Sequence, residues 1–305
     1  MENPYELEDQ LILKNDDGII GARVALLMTF YLEEGHSHVA KQRVLAFLKE
    51  SYDLIGEHLT FLRHPKSDYP KRIKKDALAS VSKWITENDE RQEYEFVFKG
   101  GENADDASHF EFSGFGTASW KSNTTSYVQL VVPITFFADR PIDIVKRFCD
   151  QLNPLSGYVG LGIVPSNNST IAQITAPSIY AMARRFEGLE VDQPHRHTLH
   201  VSDGIKSVNW MTIVGSMFIE KIGGAEKLTK ALGRDMVIEL ENSVIIVASD
   251  KPQMGDTNRQ ILVDDYRKVA KVLKPIMITT LGSFYCGSPL GFTREKTIEW
   301  LNRFK

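Results

Sequence analysis

From Val24 to Leu32 the chain reads Val-Ala-Leu-Leu-Met-Thr-Phe-Tyr-Leu, and both alternating sets of positions are largely apolar. Successive side chains of a strand point to opposite faces, so a strand of this pattern is expected to be covered on both. After a turn at Glu33-Glu34-Gly35, apolar residues recur at Leu45, Leu48, Tyr52, Ile55, Leu59 and Leu62 in steps of three and four. That spacing predicts one long amphipathic helix. Pro65 and Pro70 then interrupt, and Ala77 to Ile85 suits a second short helix ending near Asn88-Asp89.

The period then changes to two. Tyr94, Phe96 and Phe98 alternate with Glu95 and Val97, and Phe110 and Phe112 flank Glu111 after the polar Gly100–Asp106 stretch, which predicts an antiparallel hairpin. A longer strand is expected over Tyr127–Phe137, with Pro133 marking an edge or a bulge. Asp139 and Pro141 start a helix whose face is Ile142, Val145, Phe148 and Leu152, and Asn153-Pro154 stops it. The segments Ala25–Tyr31 and Val131–Phe137 echo each other, and each precedes an acidic turn and a helix. A duplicated strand–helix unit is one reading, and shared composition of two β-rich segments is the other.

Further on, Phe218, Ile219 and Ile222 suit a helix ended by Gly223-Gly224, with Leu228 and Leu232 in the next. Met236–Leu240 and Ser243–Ala248 form a hairpin around Glu241-Asn242, and Tyr266, Val269, Ala270 and Leu273 lie on a helix stopped by Pro275. Strands joined by short turns, with helices between them, favour an α+β fold with a mixed, largely antiparallel sheet and packed helices. With no linker rich in Gly, Ser or Pro, the 305 residues read as a single domain, 1–305, of two intertwined halves, about 1–125 and 126–305.

Composition narrows the function. With 42% hydrophobic and 25% charged residues the chain is an ordinary globular one, and its net charge of −4 offers no overall positive field for nucleic acid or anionic lipid. Only Cys149 and Cys286 occur, which is no disulfide framework and fits a reducing compartment. The acidic start Met1–Asp9 lacks the basic and apolar regions of a secretory signal, and no stretch approaches the roughly 18 apolar residues of a membrane span. A cytoplasmic protein without a membrane partner is expected.

Chemistry-bearing patterns are few. In Pro194–His200, His195 and His197 would share a face if the segment were a strand, and imidazoles are good zinc ligands. His200 would fall on the opposite face, and no Cys or acidic residue stands at ligand spacing, so an exposed polar loop is the plainer reading. Gly157–Gly162 lacks both the dinucleotide fingerprint and the Lys-Ser/Thr of a nucleotide loop, and suits a strand relaxed by glycine for close packing. Cys149 lies on an apolar helix face, where a small hydrophobe belongs. The basic run Lys66, Lys71, Arg72, Lys74 and Lys75 beside Tyr69 is too short for a nucleic-acid signature and reads as a solvated helix face. Asn168-x-Thr170 matches a glycosylation acceptor, which has no meaning without a secretory route.

The C-terminal third carries ordered short motifs: Ser207-Val208-Asn209-Trp210-Met211-Thr212, Ile222-Gly223-Gly224, Lys251-Pro252-Gln253-Met254-Gly255-Asp256-Thr257-Asn258-Arg259, Lys274-Pro275 and Trp300-Leu301-Asn302-Arg303-Phe304. In order and spacing they resemble the bacterial type VI secretion immunity family, well over about residues 180–305 and more weakly upstream. The resemblance implies an antitoxin that binds a cognate protein toxin and occludes its active site, with no catalytic residue, cofactor, metal or small-molecule substrate. It does not identify the toxin or the surface that meets it.

The motif residues Trp210, Gly223, Gly224, Pro252, Gly255, Asp256, Asn258, Tyr266, Pro275 and Trp300 read mainly as scaffold. Trp210 suits a core anchor, the paired glycines a helix end, and Asp256 a turn in which it bonds nearby amides. Carboxylates at Glu33, Glu34, Asp105, Asp106, Glu239 and Glu241 are candidates for steering a basic toxin. Two other readings stay open: a metal-dependent enzyme built on His195, His197 and His200, and a non-catalytic adaptor of a secretion apparatus.

Overall fold

The computed structural model describes residues 11–136, 141–287 and 290–304, without the side chains of 286 and 287. Met1–Asp9, Phe137, Asp139 and the Cys286 side chain therefore lie outside the described residues. In chain order the main elements are β1 (Ile12–Lys14), β2 (Ile20–Leu32), α1 (His38–Ile55), β3 (Phe61–Arg63), β4 (Lys71–Arg72), α2 (Ala77–Glu87), β5 (Tyr94–Lys99), β6 (Glu111–Gly116), β7 (Ser126–Val132) and α3 (Pro141–Leu152). There follow β8 (Ser156–Pro165), α4 (Ser169–Arg185), β9 (Glu190–Val191), α5 (Pro194–His197), β10 (Met211–Gly215), α6 (Ser216–Lys221), α7 (Ala225–Leu232), β11 (Val237–Glu239), β12 (Ser243–Val247), α8 (Asp264–Leu273) and α9 (Arg294–Leu301).

Among the described residues the strands form one 12-stranded sheet of order β11-β12-β10-β8-β2-β7-β6-β5-β3-β4, with β1 on β2 and β9 on β8. Every pairing is antiparallel except β8 with β9, so the fold is α+β with an open, largely antiparallel sheet between packed helices. At its centre β2 is buried from Gly21 to Leu32, as its doubly apolar pattern predicts. One set of its side chains, Leu26, Met28, Phe30 and Leu32, packs with Phe47 of α1 and Phe148 of α3. The rings of Phe30 and Phe47 stand 5.9 and 5.0 Å from that of Phe148. The alternate set, Ala25, Leu27 and Tyr31, packs with Phe115, Tyr127, Val131 and Tyr158.

Local chemistry sets the boundaries. Ser37 caps α1 by accepting from the Ala40 amide, and Asn168 caps α4 by accepting from those of Thr170 and Ile171, so the would-be glycosylation sequence is a helix start. The helix expected over 45–62 is shorter: Gly56 ends it, Gly56–His58 tightens into a 3-10 turn, and Leu62 belongs to β3. The strand expected to Phe137 stops at Val132, because Pro133 has no amide for the ladder. The echo of Ala25–Tyr31 thus matches mid-strand residues to a strand end and the turn after it, not to an equivalent strand. The run at Lys71–Arg72 is no helix face but an exposed edge strand on β3. Asp106 is buried, accepting from the amides of Ile20 and Asn103 at 3.0 and 2.9 Å, so it leaves the set of steering carboxylates.

Candidate functional site

Two regions concentrate polar chemistry, one inside the fold and one at its rim. Inside, β9 sets Glu190 beside Gly162 of β8. A Cβ at Gly162 would collide with Leu27 and press on Glu190, and one at Gly160 would stand 2.6 Å from Asn209 Oδ1. Bare backbone at these two positions lets charged segments lie directly on the sheet. Glu190 is fully buried and ion-paired with Lys206, also buried, whose ammonium donates to the Val191 carbonyl at 2.8 Å. The second Glu190 oxygen accepts from Asn209 Nδ2 at 2.7 Å and Ser207 Oγ at 3.0 Å, with the Arg303 guanidinium 3.8 Å away.

Aromatic faces complete this enclosure. The Lys206 ammonium stands 5.4 to 5.5 Å from the ring centres of Tyr158, Phe284 and Trp300, and Arg303 lies 3.6 Å from that of Trp300. Arg303 also donates to the Glu187 carbonyl at 2.8 Å, fastening the segment after α9 to the loop before β9. Next to this cluster Asp192 accepts from Gln129 Nε2 at 2.9 Å and Tyr158 OH at 3.1 Å, while Tyr31 OH and His197 Nδ1 share a hydrogen bond of 3.1 Å. Burial pushes the Asp192 carboxyl up to about 7, against the opposing pull of Lys206. Burial, then the Lys206 charge, holds His197 well below the usual imidazole range and so neutral. Burial also lowers Lys206, with Glu190 opposing, and brings Arg303 down to about 10. Bonded to one another beneath the surface, these groups clamp residues 187–209 and the end of α9 to the sheet.

The three histidines do not converge. Pro194 opens a helical turn instead of a strand, so neighbours are rotated by about 100° rather than 180°. His195 is exposed, edge-on to Phe115 and 3.9 Å from Glu95, whereas His197 is buried on Tyr31 and His200 is half-buried. Among the described residues no group of three or more His, Cys, Asp or Glu is placed to hold a metal ion. Cys149 is buried, and that burial raises its thiol well above the usual range.

The motif residues sit mostly in the scaffold. Trp210 is buried with its indole N–H on the Ser249 carbonyl at 2.7 Å, and Trp300 is buried against Arg303 and Phe284. Gly223 and Gly224 take φ of 92° and 97° at the end of α6, which only glycine adopts freely. Pro252 is buried, Gly255 turns at φ 68°, and Asp256 accepts from the Asn258 amide at 3.1 Å. The Arg185 guanidinium, 2.7 Å from Asp256, holds that carboxyl below its ordinary range. Asn258 itself is exposed, Tyr266 is buried with its hydroxyl accepting from the Gln253 amide, and Pro275 is exposed in the 3-10 turn after α8.

The rim region is one end of the sheet, where four connections meet. Tyr94 OH donates to the Gly35 carbonyl, Lys41 Nζ to that of Asn88 at 2.6 Å, and the Ser119 amide to that of Glu90 at 2.8 Å. Thr125 donates from both amide and hydroxyl to the Thr198 carbonyl, at 3.0 and 3.2 Å. Here Trp120 is 68% exposed and Leu199 61% exposed, with Val39 exposed in the first turn of α1. The Trp120 indole N–H is fixed on the Arg91 carbonyl at 3.1 Å, and Lys121, paired with Glu93 at 2.7 Å, lies 5.1 Å from its ring centre. Glu33, Glu34, Asp89, Glu90 and Glu93, which belong to the connections that meet at this end, are exposed.

Sequence reasoning named Ser207, Asn209, Trp300 and Arg303 as motif residues and Glu33 and Glu34 as steering carboxylates, but missed Glu190, Lys206, Asp192 and Trp120. The available signals were single charges inside apolar runs, Leu189-Glu190-Val191 and Ile205-Lys206, and a lone tryptophan in the polar stretch Ser119-Trp120-Lys121-Ser122-Asn123.

Over residues 43–304 the chain matches the family TsiV, described as type VI immunity for VRR-NUC. A solved structure, Pseudomonas aeruginosa T6SS protein PA0821, aligns with a TM-score of 0.84 and 23% identity, covering 99% of this chain and 91% of that one. At that identity the likeness is one of fold. Among curated proteins no match is found. The chain belongs to the type VI immunity family: its class is that of an antitoxin, a binding protein rather than an enzyme. Among the described residues no helix is long and apolar enough to cross a membrane.

Proposed function

We propose that this chain neutralises a VRR-NUC nuclease delivered by a type VI secretion system, by binding it and covering the surface on which it works. The observation that carries this reading is the family match over residues 43–304. The interior supports it: the buried ionisable groups Asp192, Lys206 and His197 are bonded below the surface and offer no open acid, base or nucleophile to a substrate. The chain acts as one domain whose halves, about 1–125 and 126–305, share the central strands, and it meets the nuclease in the cytoplasm. The motif residues from Trp210 to Trp300 serve to hold this scaffold.

The experiment is co-expression with VRR-NUC toxins, starting with one encoded beside this gene, followed by purification. Growth is expected to return together with a stable complex and loss of DNA cleavage in vitro. Rescue without any complex would overturn occlusion and favour reversal of the damage.

A further inference from the structure

We propose that the end of the sheet bearing Trp120 and Leu199 is the toxin-docking surface, and that it receives a basic face of the nuclease. This rests on the functional reading above and adds to it the place and chemistry of the contact. A nuclease must hold a polyanionic backbone, and the surface that does so is rich in Lys and Arg. An inhibitor covering that surface needs exposed carboxylates around an apolar anchor.

This end supplies both. Trp120 stands 68% exposed yet is pinned by its indole hydrogen bond to Arg91 and by Lys121 against its ring, so little side-chain freedom remains to be lost on binding. Tryptophan is among the residues that most often dominate interface energetics. Leu199 is joined to the same end through Thr125 and Thr198. The outward charge is mostly negative: Glu33, Glu34, Asp89, Glu90 and Glu93 are exposed, whereas among the cations Lys41 is buried, Lys121 is half-buried on Glu93, and Arg91 and Arg196 are exposed. The groove at the β11 edge, lined by Glu226, Thr229, Lys230, Arg234, Val237 and Glu239, mixes both signs and presents no exposed large apolar side chain.

The test uses the full chain and the VRR-NUC nuclease whose growth arrest it relieves. Affinity and inhibition of DNA cleavage are measured for Trp120→Ala, Leu199→Asp and Glu90→Lys, with Leu262→Asp as a control on a different surface. Thermal melting verifies that each variant is folded. Trp120→Ala is expected to weaken binding at least about 30-fold, and Glu90→Lys to slow association and flatten its salt dependence. Leu262→Asp should stay within about twofold of the unaltered chain, as a surface change outside the interface does. Wild-type affinity in both Trp120→Ala and Leu199→Asp would overturn this surface alone. Failure of the unaltered chain to bind any VRR-NUC nuclease would overturn the functional reading, and this one with it.

Discussion

The cluster around Glu190 and the end around Trp120 both set charge beside aromatic rings, yet they differ in what those charges face. Glu190, Lys206 and Arg303 face one another under Tyr158, Phe284 and Trp300, with Asn209 and Ser207 meeting the remaining carboxylate oxygen. At the other site Asp89 and Glu90 face water, and the Trp120 ring is exposed. Charge of the first kind fixes which segments lie on the sheet. Charge of the second kind acts on whatever approaches.

The sharpest way to break this contrast is to remove one interior partner. Lys206→Ala takes the nearest cation from buried Glu190, leaving Arg303 at 3.8 Å, and should cost about 3–5 kcal/mol in denaturant unfolding. Replacing both together, as Glu190→Gln with Lys206→Met, should cost less than the single change, since the Glu190 carboxylate is no longer buried without its ammonium and Arg303 keeps the Glu187 carbonyl. A loss below about 1 kcal/mol for Lys206→Ala would mean that water reaches the cluster.

Asp192 gives a pH-dependent version. Its folded pKa, raised from 3.8 to about 7, means the fold holds a proton that the unfolded chain releases. Its contribution is full below the unfolded value, and is lost as pH rises through the folded one, at most about 1.4 kcal/mol for each unit crossed. Asp192→Asn should therefore gain on the wild type between about pH 4 and 7, in paired unfolding curves. A difference constant across that range would remove Asp192 from the account.

The smallest effect is expected at the rim. Trp120→Ala should change unfolding stability by no more than about 0.5 kcal/mol, because the ring is exposed and its neighbours keep their backbone contacts. A larger loss would make Trp120 a structural residue and erase the distinction between the two regions.

Much of the fold was legible because local patterns and tertiary packing agree. The doubly apolar Val24–Leu32 run, the Tyr94–Phe112 hairpin and the face of α3 all occur as read. Misreadings fall where a short element breaks a longer pattern: Gly56 and Pro133 each ended an element that apolar spacing alone would extend. The interior cluster was hidden for a different reason. Glu190, Lys206 and Arg303 are far apart in sequence, and a lone charge in an apolar run declares burial only when its partner is known. The Pro194–His200 segment, read as an exposed polar loop, instead starts a helical turn at Pro194 that buries His197 and leaves His195 exposed.

The sheet order also has a consequence in time. β2, from the beginning of the chain, lies between β7 and β8, and Gln129 reaches Thr29 across 100 positions of sequence. Pairings that span such distances close slowly, since the loop must be gathered before any contact rewards it. The Trp120 end is itself assembled from connections on both sides of that closure, Thr125 being joined to Thr198. That end is therefore complete only after the long-range closure, and a half-made chain lacks it.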